Sequence, residues 1–422
     1  MANVAVIGTG YVGLTTGAYL SHLGHSVVCA DVVVEKVESL NAGLVPIHEA
    51  GLDELVRTGL DTGRLQFVVG AATAIAEAEF IFLCLPTPQG EDGSADLSYV
   101  ESVATEIGPH LLADAIVVNK STVPVGSTRR VAALLGRDDV HVVSNPEFLR
   151  EGQAVHDSLN PDRIVIGAYD TEVALRLATL YEKLQAQVLV TDPASAETIK
   201  YVANAFLATK VSFVNAVAHF CELVGADVRD VALGMGQDKR IGFEFLRPGP
   251  GWGGSCFPKD TRALIRMGEV LGYDFHLLRS VIEVNDEQYA RIAEKVLVAA
   301  GGTLVDCTVA VWGLTFKART DDLRESPALF VIERLKAAGA TVRAFDPMVT
   351  EREGITVCAD AYEACEGAHA LVVLTEWEEF RLVDLAKVQP LMENPAIVDA
   401  RNLLDPVTVR RNGFTYDGVG RL

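Results

Sequence analysis

The sequence predicts an α/β protein with two Rossmann-like, doubly wound domains joined by a long central helix and a helical middle domain. Short apolar runs alternate with amphipathic stretches in the first half of the chain, the pattern becomes helical after residue 192, and a second alternation begins near residue 308. We expect domain boundaries at 1–192, 193–300 and 301–422.

Eight apolar, β-branched runs in the first region have the length and composition of buried strands. They are expected at residues 4–7, 26–30, 66–69, 80–85, 116–120, 141–144, 163–167 and 188–190.

Residues that typically begin or end helices, together with an internal repeat, predict the elements of the central and last regions. Asp192 and Pro193 begin a helical pattern that runs to about residue 225. Near residue 310 the chain repeats its own beginning, since VAVIG…LGHSVVCAD and VAVWG…AGATVRAFD share a strand, a glycine turn, a helix and a strand ending in Asp. In the repeat, Ser326 is the expected helix N-cap and Pro327 the first helical residue.

Composition limits the class of protein. The 422 residues are 49% hydrophobic, and the formal net charge of −21 argues against nucleic acid as a partner. We expect no membrane span and no signal peptide, because residues 1–10 read as a strand entering a turn. Seven cysteines without CxxC spacing indicate reduced thiols in the cytoplasm, and the nine scattered histidines predict no metal site.

A glycine motif after the first strand predicts a dinucleotide site. Gly8 permits a tight turn, Gly10 lets a pyrophosphate approach the backbone, and Gly13 lets helix and strand pack. Asp31 ends the next strand, where its carboxylate would accept from ribose hydroxyls and repel a 2′-phosphate, which favours NAD; Lys36 is near enough to support the same ribose. The alternative is a glycine turn without a ligand.

Loops at the carboxyl ends of later strands are further candidates, because such loops converge on the ligand crevice of an open parallel sheet. They contain Pro86 and Thr87, the segment 121–124, and the segment 145–152. Glu147 and Glu151 would share a face if their segment is helical, and the alternative is two solvated carboxylates.

Cys256 is the candidate nucleophile. It follows a glycine-rich stretch and precedes Pro258, a residue suited to the first turn of a helix, so the helix dipole and Lys259 would favour the thiolate. A structural thiol is the open alternative. Lys200 and Asn204, four residues apart among apolar neighbours, form a second candidate group, against the alternative of a solvated lysine.

Together these motifs resemble the UDP-glucose 6-dehydrogenases, within the wider family of nucleotide-sugar dehydrogenases. The resemblance runs along nearly the whole chain and rests on GTGYVGL, CLPTP, KSTVPVGST, NPEFLREG, PDRIVIG, ETIKYVANAF, KRIG, GGSCFPKD, GLTFKARTDDLRESPA, FDP and TEWEEF, in that order.

The resemblance implies that NAD oxidises the C6 alcohol of UDP-glucose in two hydride transfers, through a thiohemiacetal and then a thioester on the cysteine. It also implies a homodimer or larger homo-oligomer, with the long helix in the interface and Arg240 reaching the sugar of a neighbouring subunit. The implied catalytic residues are Cys256, Lys200, Asn204, Asp260, Glu147 and Thr122. The implied cofactor residues are Gly8, Gly10, Tyr11, Val12, Gly13, Asp31, Lys36, Pro86, Thr87, Thr122, Glu151, Lys259 and Arg324. The implied substrate residues are Phe148, Leu149, Glu151, Lys200, Asn204, Arg240, Phe245, Gly249, Gly253, Phe316 and Lys317.

Three other readings stay open. GDP-mannose is an alternative substrate, because NPEFLREG and GGSCFPKD occur in that branch as well, whereas Ser255 stands where the UDP-N-acetylmannosamine branch has a histidine. A catalytically silent sensor of NAD or UDP-sugar is an alternative from a different class. A two-electron dehydrogenase resembling the 6-phosphogluconate enzymes would need no cysteine.

Overall fold

A computed structural model describes residues 1–90 and 92–421. The chain forms two compact units: unit 1 comprises residues 1–203 and 262–267, and unit 2 comprises residues 204–261 and 268–422. Leu422, the end of the expected third domain, lies outside the described residues.

Unit 1 is built on an eight-stranded sheet. Its strands are β1 (Asn3–Ile7), β2 (Ser26–Asp31), β3 (Leu65–Val69), β4 (Phe80–Leu83), β5 (Ile116–Asn119), β6 (His141–Ser144), β7 (Arg163–Gly167) and β8 (Gln187–Thr191). The order is β3-β2-β1-β4-β5-β6-β7-β8, and every pair is parallel except β6 with β7.

Eight helices accompany this sheet. They are α1 (Tyr11–His22), α2 (Val34–Asn41), α3 (Leu52–Asp61), α4 (Ala71–Ala74), α5 (Ser98–Ile107), α6 (Ser127–Leu135), α7 (Ala154–Leu159) and α8 (Thr171–Ala178). The strands β4 and β5 are buried along their whole length, as expected for parallel strands covered on both faces.

Four helices lie between the two sheets in sequence. They are α9 (Pro193–Val224), α10 (Val228–Gly236), α11 (Phe257–Val270) and α12 (His276–Ala299). The helix α9 is long and apolar enough to cross a membrane by length and composition alone, but a third of its most apolar window is buried inside the protein, and it carries the buried polar residues Glu197, Lys200 and Asn204. Because buried polar side chains of this kind pack against the rest of the protein, we read α9 as a helix of the folded protein rather than as a membrane anchor.

Unit 2 contains a six-stranded, fully parallel sheet in the order β11-β10-β9-β12-β13-β14. The strands are β9 (Thr308–Trp312), β10 (Thr341–Phe345), β11 (Thr356–Val357), β12 (Ala370–Val373), β13 (Ala396–Asp399) and β14 (Thr415–Gly418), and the remaining helices are α13 (Pro327–Ala337), α14 (Ala361–Ala364), α15 (Leu385–Val388) and α16 (Pro406–Arg411).

The predicted fold class is confirmed. Two sheets with the strand order of doubly wound domains are connected through long helices, and α9 begins at Pro193 as expected. Ser326 caps α13, since its hydroxyl accepts from the backbone N–H of Ala328 at 3.2 Å, and Pro327 is the first helical residue. Local punctuation thus predicts these elements to within a few residues.

Candidate functional site

The glycine loop of unit 1 leads from β1 into α1. Gly8 has φ 95°, a conformation that L side chains rarely adopt, and a Cβ on Gly13 would overlap the Gly8 carbonyl oxygen. Gly10 differs, because a Cβ there would meet no described atom within 4 Å, and its backbone is extended with φ −71° and ψ −170°. Packing explains Gly8 and Gly13, whereas Gly10 leaves space for a ligand above the start of α1.

The first turn of α1 fits a pyrophosphate. The N-cap is Gly10, which has no side chain that could accept hydrogen bonds from the first backbone N–H groups of the helix. Tyr11 and Val12 are the first two helical residues. These N–H groups and the positive end of the helix dipole attract phosphate oxygens.

Asp31 ends β2 beside this loop. Its Oδ2 accepts from the backbone N–H of Thr9 at 3.1 Å, from the Thr9 hydroxyl at 2.5 Å and from Lys36 Nζ at 2.9 Å. Burial would raise the pKa of Asp31, but these donors outweigh it and lower the pKa to about 2. The carboxylate is therefore ionised and held at the glycine loop, as a ribose ligand requires.

The loops after β4 and β5 are fastened to each other. The Thr87 hydroxyl donates to the Thr122 carbonyl oxygen at 2.9 Å, and Ser121 Oγ accepts from the backbone N–H of Leu85 at 2.8 Å. Pro86 lies between Leu85 and Thr87, so the structure brings these expected cofactor residues together at one edge of the sheet.

The segment that contains Glu147 and Glu151 is a loop, so the helical arrangement considered for them is wrong. Pro146 fixes its own φ and disfavours a helical Asn145, and the next helix, α7, begins only at Ala154. Glu147 is 7% exposed, which excludes a solvated surface carboxylate.

Glu147 instead pairs with Lys200. Lys200 Nζ donates to Glu147 Oε1 at 2.7 Å, and the backbone N–H of Leu149 donates to Oε2 at 2.7 Å. Burial would raise the pKa of Glu147, but the Lys200 ammonium outweighs it, so the pKa lies below its usual value. Phe148 lies under both Arg163 and Lys200, whose charged groups are 3.8 Å and 5.6 Å from its ring centre.

Glu151 and Gly152 end this loop near the cofactor motif. The backbone N–H of Gly152 donates to Glu49 Oε2 at 2.8 Å and to the Tyr11 hydroxyl at 2.9 Å, and the Tyr11 hydroxyl also bonds to Glu49. Glu49 was missed by the sequence analysis, because nothing near it indicates a buried carboxylate.

Lys120 was also missed as a site residue, whereas Asn145 was included only as the first residue of the candidate loop 145–152. Both are buried, and Lys120 Nζ donates to Asn145 Oδ1 at 3.1 Å. Lys120 directly follows β5, so it occupies the carboxyl end of a parallel strand; that position was the available signal.

In unit 2, Cys256 immediately precedes α11, which begins at Phe257. Cys256 is half-buried and its Sγ lies 3.5 Å from Ser255 Oγ, while the other six cysteines are buried. Burial raises the pKa of Cys84 and of Cys365 to about 12. Among the seven thiols, Cys256 combines access with a helix N-terminus, the setting that favours a thiolate.

Asp260 lies one turn into α11 and organises the polar groups of this region. Its Oδ2 accepts from Asn204 Nδ2 at 2.6 Å, and its Oδ1 lies 2.9 Å from Lys259 Nζ. Asp260 is 1% exposed, so Lys259 supplies the opposite charge and Asn204 a hydrogen-bond donor in place of bulk solvent. Unit 2 thus brings together Asn204, Cys256, Lys259 and Asp260.

The glycine-rich segment before Cys256 is fixed by buried side chains. The backbone N–H of Gly249 donates to Asn215 Oδ1 at 2.8 Å, and its carbonyl accepts from Gln288 Nε2 at 2.8 Å. The backbone N–H of Trp252 donates to Asn285 Oδ1 at 2.8 Å. A Cβ on Gly253 would overlap the Glu325 carbonyl oxygen, so glycine is required there by close backbone packing.

The expected nucleotide residues lie around this segment. A Cβ on Gly254 would approach the Phe316 ring at 2.7 Å, and Lys317 Nζ lies 5.3 Å from the centre of the same ring. Arg324 forms an ion pair with Asp322 at 2.8 Å. Phe245 has φ 62°, a strained conformation for an aromatic residue, which is typical of functional segments.

Two arginines differ in setting. Arg401, missed by the sequence analysis, donates to the Phe316 carbonyl oxygen at 2.9 Å and forms an ion pair with Glu376 at 3.0 Å. Arg240, expected to reach a second subunit, has a side chain that is 88% exposed and paired with Asp238.

The comparisons agree with this geometry. Three models of the UDP-glucose/GDP-mannose dehydrogenase family match in order: the NAD binding domain over residues 2–185, the central domain over 194–287 and the UDP binding domain over 310–406. A UDP-glucose 6-dehydrogenase of Bacillus subtilis is 45% identical over 99% of this chain and 98% of its own length.

Further relatives span the whole chain. A UDP-glucose 6-dehydrogenase of Pseudomonas aeruginosa is 45% identical over 99% of this chain and 97% of its own length. The solved structure of a UDP-glucose dehydrogenase from Pyrobaculum islandicum superposes with a TM-score of 0.92 at 39% identity, covering 100% of this chain and 98% of that one. The protein is therefore an NAD-dependent oxidoreductase that belongs to the UDP-glucose/GDP-mannose dehydrogenase family.

Proposed function

We propose that the protein oxidises the C6 alcohol of UDP-glucose to the carboxylate, with the intermediates held covalently on Cys256. The single observation that carries the proposal is the setting of this thiol: it is half-buried at the start of α11, in the same unit as the buried Asn204 and Asp260 and the half-buried Lys259. NAD⁺, when bound, accepts a hydride in each of the two oxidations, and the space above Gly10 supports its binding.

In the first half of the reaction the C6 alcohol must lose a proton as it is oxidised. Lys200 or a water held by Asp260 can take it, and the structure favours the water, because Lys200 is engaged as an ammonium with Glu147. Cys256 then adds to the aldehyde carbon to form a thiohemiacetal, so the aldehyde cannot escape. Lys200 and Asn204 supply donors for its oxyanion, each worth about 3 kcal/mol when well placed.

In the second half, oxidation of the thiohemiacetal gives a thioester, which water must hydrolyse. Glu147 has the ionised carboxylate needed to orient or activate that water, and Thr122 assists it. Hydrolysis releases the carboxylate and returns the thiol, so one sugar consumes one water and reduces two NAD⁺.

The residues assigned to the nucleotide-sugar follow from the family resemblance, and each group is described within its own unit. In unit 2, Lys317 and Arg401 bring positive charge to the region of Phe316. We assign Phe245, Gly249 and Gly253 to the ligand on the family resemblance. In unit 1, Phe148, Leu149 and Glu151 belong to the fixed loop beside Lys200. We assign the direct cofactor contacts of Lys259 and Arg324 on the family resemblance alone.

Substrate choice is tested by offering UDP-glucose, UDP-galactose, UDP-N-acetylmannosamine and GDP-mannose with NAD⁺ and counting NADH by absorbance. We expect UDP-glucose to be preferred, because full-length relatives at 45% identity carry that name. Two NADH per sugar supports the thioester route. One NADH per sugar contradicts it, and none with any of the four sugars would leave a sensor.

We also propose a homodimer formed through α9. The side chains of Phe206, Phe213 and Phe220 recur every seven residues, lie on one helix face and are 62%, 53% and 62% exposed. Exposed aromatic stripes of this kind mark interaction surfaces, and a second copy of the helix presents the matching stripe. The exposed Arg240 remains available to such a partner.

The dimer is tested with Phe213→Asp and, as a matched control, Leu382→Asp, which changes an equally apolar residue that is 82% exposed away from α9. Light scattering should show a dimer for the wild type and the control and a monomer for Phe213→Asp. A monomeric wild type would refute the proposal.

The proposal also assigns a role to each of the three expected domains and a location to the protein. Residues 1–192 bind NAD, residues 193–300 carry Cys256 and the dimer helix, and residues 301–422 bind the UDP moiety. We place the protein in the cytoplasm, where its seven thiols stay reduced.

A further inference from the structure

Lys120 is a buried ammonium that the steps above do not use. Its residue is 7% exposed, and it directly follows β5 in the interior of unit 1. A buried lysine is expensive, and its hydrogen-bond partner, Asn145 Oδ1 at 3.1 Å, is a neutral amide rather than a carboxylate. A methionine of similar length would fill the same space without that cost, so packing does not explain the charge.

The Lys120 ammonium is held in one place by a chain of hydrogen bonds between buried groups. The Tyr181 hydroxyl donates to Asn145 Oδ1 at 2.6 Å, and Asn145 Nδ2 donates to the Val165 carbonyl oxygen at 2.8 Å. Asn145 is 1% and Tyr181 3% exposed. Lys120 is therefore aimed by a fixed acceptor instead of moving between solvent and protein.

The titratable groups that interact with Lys120 are Cys84, Glu147 and Lys200. Burial raises the pKa of Cys84 to about 12, so its thiol is neutral. Burial is also the main reason that the pKa of Lys120 is lowered to about 8; Cys84 and Glu147 oppose this shift, and the positive charge of Lys200 adds to it. At neutral pH the cluster thus contains two ammonium groups and one carboxylate, with an excess of one positive charge.

We propose that Lys120 is a positioning residue for the reaction: its fixed charge gives the Glu147–Lys200 pair the excess positive charge that stabilises an oxyanion at C6. This inference rests on the proposed function, in which Lys200 faces that oxyanion. Without Lys120 the pair is neutral overall, and the negative charge that develops on the sugar oxygen loses part of its stabilisation.

The test compares Lys120→Met, which removes the charge, with Lys120→Arg, which keeps it. Lys183→Met is the control for the loss of a lysine charge elsewhere in unit 1, because Lys183 is exposed and its Nζ donates to the Leu23 carbonyl oxygen. We expect Lys120→Met to lower kcat at least about tenfold while the KM for UDP-glucose changes much less, since ground-state binding is untouched. Lys120→Arg should recover most of kcat, and Lys183→Met should be unchanged.

The pH profile separates this role from a structural one. The useful form of Lys120 is the protonated form, present below a pKa of about 8 and lost above it. Wild-type kcat should therefore fall on the alkaline side near that value, and the fall should be absent in Lys120→Met and displaced to higher pH in Lys120→Arg. If Lys120→Met does not fold, Tyr181→Phe, which removes the hydroxyl bonded to Asn145 and to Tyr19, should lower kcat at constant KM.

The outcomes are distinct. Failure of the wild type to form NADH from UDP-glucose refutes the proposed function itself. A working wild type combined with unchanged kcat and pH profile in Lys120→Met overturns the inference about Lys120, as does an equal loss in Lys183→Met. If only Tyr181→Phe can be measured, an unchanged kcat in that variant overturns it.

Discussion

Gly10→Ala should separate the ligand-binding role of the glycine loop from its packing role. A Cβ on Gly10 meets no described atom within 4 Å, and φ −71° with ψ −170° is open to alanine. Folding should therefore change by less than about 1 kcal/mol, because the small loss at an N-cap is offset by a less flexible unfolded chain. The new methyl group instead stands where a phosphate would approach the N–H groups of α1.

The expected loss in NAD⁺ affinity follows from those N–H groups. Hydrogen bonds to a charged partner contribute about 1.5–3 kcal/mol each, so displacing the phosphate from one of them weakens binding about 10- to 100-fold. Gly13→Ala is the contrasting variant, because its Cβ would overlap the Gly8 carbonyl oxygen and should destabilise unit 1 itself.

Calorimetric titration with NAD⁺ and a thermal melt of each variant make the comparison. Gly10→Ala should melt like the wild type and bind NAD⁺ weakly, whereas Gly13→Ala should melt earlier. Wild-type affinity in Gly10→Ala would refute the reasoning, since the glycine would then have no ligand to admit. A melting temperature of Gly10→Ala as low as that of Gly13→Ala would also refute it, because packing would then be the reason for the glycine at position 10.

Further predictions concern the Cys256 thiol and the hydrolysis of the thioester. Iodoacetamide at neutral pH should alkylate Cys256 before Cys84 or Cys365, because the pKa values of those two thiols are raised to about 12. Mass spectrometry of the peptides will show the order of alkylation. The variant Cys256→Ala should form no acid yet still bind NAD⁺, and full activity in this variant would overturn the thioester route. Because the pKa of Glu147 lies below the usual carboxyl value of 4.5, its carboxylate stays ionised at that pH and is protonated only at lower pH, so thioester hydrolysis should persist at pH 4.5. Glu147→Gln should accumulate the acyl-enzyme in a single turnover, and unchanged hydrolysis in this variant would remove Glu147 from the water step.

The sequence predicts features that are determined locally. The bounds of β6 and β7 are those of the apolar runs, and α13 begins where Ser326 and Pro327 place it. The reversed direction of β7 could not be predicted, because an apolar run has the same pattern in a parallel and an antiparallel strand. The helix considered for Glu147 and Glu151 failed because the spacing of two carboxylates says nothing about backbone conformation.

In the candidate site, too, local features could be predicted from the sequence, whereas contacts between distant residues could not. The glycine loop could be predicted, since its turn, strand and helix are adjacent in sequence. Lys200 and Glu147 are 53 residues apart, and Asn204 and Asp260 are 56 apart, so neither contact follows from a local pattern. Lys120 was read as the last residue of an apolar strand, because a lysine there is ordinarily taken to reach solvent.

The buried pair Lys200–Glu147 shows why such contacts point to function rather than stability. The two side chains are 4% and 8% exposed, so both have lost most of their hydration. Removing one partner of a buried pair typically costs about 3–5 kcal/mol, whereas replacing both by apolar residues is often neutral or stabilising. Lys200→Met alone should therefore unfold at a clearly lower urea concentration, and Lys200→Met with Glu147→Leu should regain most of the loss.

Neither variant should form the acid, because the double variant restores packing without restoring a donor or a carboxylate. The urea midpoint and the yield of NADH from UDP-glucose measure the two effects independently. If the double variant is as unstable as Lys200→Met, the pair is part of the stability of unit 1. If it is stable and still active, the pair has no part in the reaction. If the pair serves the reaction, the double variant must be stable and inactive.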